Sequence, residues 1–128
     1  MLKHKVITNR IILGAMMLGL HGFVYWLCRF GFFEMHGMKQ WPNLLALIGG
    51  VIILIAVMFG KRITSASTVI GYLLGFILAL LFNTDGLDPG GGRTNNAWLI
   101  WGRVFIVAIL IGIIMDISLR SILSQKPL

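Results

Sequence analysis

The chain has 128 residues, of which 58% are hydrophobic and only 12% charged, and its mean hydropathy is +0.92. Soluble domains carry roughly 25% charged residues, so an ordinary soluble core is excluded and a single domain lying mostly in lipid is expected. The formal net charge of +7 does not indicate nucleic acid, because the cations are scattered over the ends and loops and no basic stretch is interleaved with aromatics.

A bilayer span needs about 20 apolar residues. Four stretches qualify or come near: 11–33, 43–59, 67–82 and 97–119. The first follows a basic start, as a secretory signal does. It continues through bulky Phe23, Tyr25 and Trp26 without a small-residue cleavage site, so an uncleaved helix is expected. His21 is the only ionisable residue near the predicted midplane, and such residues are functional suspects. Gly19 and Gly22 flank it and offer a backbone carbonyl room to approach, which favours a neutral, hydrogen-bonded structural histidine over a proton relay. No Asp or Glu lies at mid-depth, which argues against a proton-coupled exporter. Cys28 is the only cysteine, so an internal disulfide and a thiolate metal cluster are both excluded. Arg29, like Arg103 in the fourth span, sits one or two turns inside its span. Either it snorkels to phosphate or it pairs with Glu34, Asp85 or Asp88. His21, Arg29 and Arg103 together form the candidate intramembrane polar site.

The connection at 34–42 is short, and Pro42 suits the first turn of the next helix. The second span is near the lower length limit and borrows flanking Trp41 or Gly60. A tight turn with Lys61 and Arg62 follows. The third span carries Ser67, Gly71, Gly75 and Ala79, each four apart and therefore on one helix face. Small residues let helices approach closely in lipid. This face is either a seam inside the bundle or a seam for a second copy or a membrane partner.

The loop at 83–96 reads NTDGLDPGGGRTNN. Its glycines and proline predict irregular structure, and Thr94, Asn95 or Asn96 is expected to cap the fourth helix. It is longer than a plain hairpin needs, so it is a candidate recognition surface built from Asp85, Asp88, Arg93, Asn95, Asn96 and Trp98, with Trp101 beside them. Its acids do not follow the spacing of a calcium-binding EF-hand loop, and no metal or other cofactor is expected. In the fourth span Asp116 and Arg120 stand four apart and form an ordinary helix pair.

Threading the spans back and forth brings Trp26, Trp41, Trp98 and Trp101 near one face, in the headgroup zone that tryptophan prefers. Lys3, Lys5, Arg10, Lys61, Arg62, Arg120 and Lys126 fall on the opposite side, which predicts both termini in the cytoplasm. The expected fold is thus all-α, an antiparallel four-helix bundle occupying residues 1–128 as one multi-pass domain of a cell membrane. No catalytic pattern is present. The sequence favours a small non-enzymatic accessory subunit that binds a membrane partner through the small-residue face and the loop. A homo-oligomeric channel or transporter for ions or small solutes is the alternative. It comes second because the spans show almost no recurring polar face.

Overall fold

The computed structural model describes residues 2–31, 40–87, 89–91 and 93–125. Four helices dominate: α1 (Leu2–Trp26), α2 (Trp41–Met58), α3 (Arg62–Phe82) and α4 (Ala97–Gln125). A π-helical turn, Leu27–Gly31, prolongs α1 and places Cys28 in the core. Two short strands, β1 (Asp85–Leu87) and β2 (Arg93–Asn95), lie between α3 and α4. The four helices pack together around Tyr72, Trp101, Phe105 and Ile53, all essentially inaccessible. Each is long and apolar enough to cross a membrane. Their outward faces carry large apolar side chains such as Ile11, Leu47, Met58 and Leu81, as expected of helices that face lipid rather than water.

The helices outrun the apolar stretches that announce them. α1 begins at Leu2, α3 at Arg62, and α4 continues to Gln125. Hydropathy marks where a helix enters lipid, whereas backbone hydrogen bonding continues into polar flanks.

The ends have specific causes. α2 closes in a Schellman turn: Lys61 N–H donates to Ala56 O at 2.7 Å and Gly60 N–H to Val57 O at 3.1 Å. Gly60 adopts φ +71°, the left-handed conformation this turn demands. Arg10 then donates to the exposed Met58 carbonyl at 3.1 Å. At the start of α3, the Asp116 carboxylate accepts from Thr64 N–H at 2.7 Å and from its hydroxyl at 2.6 Å. The expected Asp116–Arg120 pair is therefore replaced by a cap across helices. A carboxylate gains more from the orphan N–H groups of a helix start than from an exposed cation one turn away.

The segment 83–96, expected to be irregular, carries regular structure at 85–87 and 93–95. β1 and β2 pair antiparallel, with Asp85 opposite Asn95, Gly86 opposite Thr94 and Leu87 opposite Arg93. The expectation failed because Pro89, Gly90 and Gly91 gather at the tip, where they make the turn and leave the flanks free to pair.

Candidate functional site

Two groups of polar side chains stand out, one inside the bundle and one at the hairpin. Inside, His21 is 4% exposed. Its Nε2 lies 3.0 Å from Ala46 O, so this nitrogen carries the proton and donates. The expected carbonyl thus comes from α2, and Gly19 and Gly22 have nothing within 4 Å of where a side chain would begin. Gly49 makes the room instead: a Cβ there would stand 2.7 Å from His21 Cε1. His21 Nδ1 is buried with no hydrogen-bond partner among the described residues.

Tyr72 is the hub of this interior. Its hydroxyl donates to Pro42 O at 2.9 Å, and its carbonyl accepts from Trp101 Nε1 at 2.9 Å. His21, Trp101 and Phe105 meet its ring edge to face, with centroids 5.2, 5.1 and 5.9 Å away. Trp101 is 0% exposed. It is therefore a core residue and cannot form part of a recognition surface. The notch left by Gly75 admits its ring, and a buried indole N–H requires an acceptor, which Tyr72 supplies. Thr68 donates to Thr64 O at 2.8 Å, and Ser65 to Arg62 O at 2.8 Å. Arg29 is half-buried with its guanidinium 4.8 Å from the Phe30 ring, while Arg103 is exposed on the outside of α4. Arg103 and His21 therefore do not share a site.

The small-residue face of α3 points at α4. A Cβ on Gly71 would fall 2.5 Å from Ala108 Cβ, and one on Gly75 would fall 2.9 Å from Trp101 O. Ser67 meets α4 at Gly112, where an added Cβ would be 2.6 Å from Ser67 Oγ, and Ala79 is fully buried.

At the hairpin, asparagines tie α3, both strands and α4 together. Asn83 Nδ2 donates to Ala79 O and Leu80 O at 2.8 and 3.0 Å, closing the C-terminus of α3. Asn95 Nδ2 donates to Asn83 Oδ1 at 2.9 Å and to Asp85 Oδ1 at 2.7 Å. Asn95 Oδ1 accepts from Ala97 N–H at 2.8 Å, opening α4, and Asn96 Oδ1 accepts from Thr84 N–H at 2.7 Å. Asp85 thus bonds Asn95 rather than Arg103. Trp98 stacks edge to face on Trp41 at 5.4 Å. Leu87 projects from β1, 75% exposed. Asp88, Glu34 and His36, and the Arg93 side chain, lie outside the described residues.

Asn95→Ala removes the links to Asn83 and to Asp85 of β1 and the α4 cap at once. It is expected to cost about 1–2 kcal/mol and to make the hairpin cleavable by added protease under conditions where the parent chain resists. Equal cleavage rates would show that the asparagines do not hold the hairpin.

Tyr72 and Asn83 escaped the sequence reading. Tyr72 carries a hydroxyl within an apolar stretch, and lipid offers such a group no partner, so it had to find an acceptor across the bundle. Asn83 is the first polar residue after the third apolar run, a position suited to closing a helix. Among the described residues, no three His, Cys, Asp or Glu lie together in a way that could hold a metal ion. No family model matches the chain, and no curated protein or solved structure is similar enough to mark a relative.

Proposed function

We propose that this chain is a four-span antiparallel bundle of the cell membrane with both termini cytoplasmic, and that it serves as a non-enzymatic interaction subunit whose recognition surface is the external hairpin. The order of contacts supports the antiparallel arrangement. Thr64 meets Asp116, Gly71 meets Ala108 and Gly75 meets Trp101, while Gly14 meets Val57 and Tyr25 bonds Asn43. The distribution of Lys and Arg supports the orientation.

The observation that carries the recognition role is the asparagine clasp. It fixes a two-stranded ribbon outside the helices and spends side chains at both helix ends to do so. A connector needs none of this. The ribbon offers Leu87 and Asp85 to a partner, an apolar knob beside an acceptor, on a pre-ordered backbone that loses little entropy on binding. The partner surface is assigned to the hairpin alone, because α4 already fills the small-residue face. The channel reading has less support. Tyr72, Thr64, Thr68, Ser65 and Trp101 all spend their donors on neighbouring backbone or on Asp116.

Reporter fusions and co-purification test this together. A reporter after Leu128 should read cytoplasmic and one within residues 90–92 external. A protein retained with the chain in mild detergent should be lost, roughly tenfold or more, when Leu87→Asp is combined with Asp85→Asn. Membrane insertion should be unchanged. An external C-terminus would overturn the topology, and undiminished retention of the partner would overturn the assignment of the hairpin.

A further inference from the structure

At the end of the bundle opposite the hairpin, the turn between α2 and α3 brings several cations together. Arg10 reaches from α1 to the Met58 carbonyl and lies against Gly60, where an added Cβ would be 3.2 Å from its Nη2. A cavity of about 380 Å³ opens between Arg10, Lys61 and Arg120, with Phe59 and Leu119 on its walls. A smaller one, about 170 Å³, lies between Asn9, Arg10 and Arg62. An apolar groove of about 510 Å³ runs between α1 and α2 past Ile11, Gly14, Ala15, Leu18 and Val57. Arg10 lines all three, so one guanidinium joins two cationic hollows to a hydrocarbon trough.

We propose that this end of the bundle binds one anionic phospholipid, its phosphate held by Arg10, Lys61 and Arg120 and an acyl chain laid along the groove beside Gly14 and Ala15. The inference rests on the chain lying in a bilayer and not on the hairpin having a partner. Charge complementarity selects the headgroup. The one acid of the cavity, Asp116, has Oδ2 engaged by Thr64, so the cations outnumber it. Guanidinium groups present paired N–H donors that match phosphate oxygens, and basic hollows at helix ends are natural seats for anionic headgroups. The groove selects a lipid over a free anion. Gly14 and Ala15 have no long side chains, so the trough between Ile11 and Leu18 is open to a chain from the surrounding leaflet.

Native mass spectrometry of the full chain in mild detergent gives the test, with phosphatidylglycerol and phosphatidylcholine of identical acyl chains as probes. One phosphatidylglycerol should be retained roughly tenfold over phosphatidylcholine, since each cation near a headgroup contributes about fivefold and screening removes part of the sum. Arg120→Gln should reduce phosphatidylglycerol retention about twofold, its share of that screened preference, and leave phosphatidylcholine unchanged. Ala15→Phe, on an exposed position, should fill the trough and weaken phosphatidylglycerol several-fold. Neither substitution touches the core, and unchanged melting temperatures will separate lost binding from lost folding. Equal retention of the two lipids, or indifference to Arg120→Gln in the folded protein, would overturn the site. So would binding of inorganic phosphate with an affinity that ignores Ala15→Phe, which would identify a soluble-anion site. A chain recovered in the aqueous fraction without detergent would overturn the bilayer placement and this site with it, independently of any lipid measurement.

Discussion

Gly75→Leu should destabilise the folded bundle more than Asp116→Ala or Asn95→Ala does. A Cβ at this position would stand 2.8 Å from Trp101 Cδ1 and 2.9 Å from Trp101 O. The ring could turn aside, but the carbonyl belongs to the α4 backbone and cannot. Leucine therefore forces α3 and α4 apart along the line that also joins Gly71 to Ala108, and the Trp101–Tyr72 hydrogen bond breaks with it. Overpacking against a movable side chain costs about 1–3 kcal/mol, and displacing a backbone takes the cost to about 3 kcal/mol or more. Thermal melting in detergent followed by tryptophan fluorescence measures this, since Trp101 moves from full burial to exposure. Gly19→Leu is the control: nothing lies within 4 Å of a Cβ there, and the melt should not move. If Gly75→Leu melts like the parent, α3 and α4 do not meet at this face.

Asp116→Ala should carry the second-largest penalty, about 2–4 kcal/mol. One carboxylate oxygen accepts from both Thr64 N–H and Thr64 Oγ1, and hydrogen bonds to a charged acceptor are worth about 1.5–3 kcal/mol each. Thr64 is itself buried, so its N–H, third in α3, would lose its partner away from water. Asp116→Asn keeps an acceptor without the charge and should cost about 1 kcal/mol. Coupling identifies the mechanism. In the background of Thr64→Val one of the two bonds is already gone, and the penalty of Asp116→Ala should shrink by about 1 kcal/mol or more. Additive penalties would mean that the carboxylate acts elsewhere, on Arg120 for instance.

Asp116 also shows where the sequence stops being informative. Four helices were legible because a bilayer demands long apolar runs, and composition records them directly. The face Ser67–Gly71–Gly75–Ala79 was legible as a place of close approach, because a spacing of four is a property of one helix. What meets that face was not, since it depends on which helix lies opposite. The same limit governs Asp116. Arg120 is its neighbour along the chain, whereas Thr64 is 52 positions away and becomes its neighbour only once α3 and α4 pack. The carbonyl that satisfies His21 comes from Ala46 for the same reason. Trp101 was read as part of a surface because tryptophan is on average half-buried, whereas the Gly75 notch and the Tyr72 carbonyl draw its ring into the core. At the hairpin, composition misled because the count of glycines ignores where they stand, and here Gly90 and Gly91 are spent on the tip.

The turn at Gly60 also bears on the order in which the chain is made. Only Phe59, Gly60 and Lys61 separate α2 from α3, so closing this pair costs little chain entropy and it forms as soon as α3 is complete. For a time, the nascent chain holds α3 beside α2 while its glycine face stands open, because Ala108 and Trp101 have yet to be synthesised. Chains grow at roughly 5–20 residues per second, so that seam waits for seconds before α4 arrives to close it. During this interval the face has no α4 to cover it, and the hairpin, made between the two helices, is closed only when α4 packs.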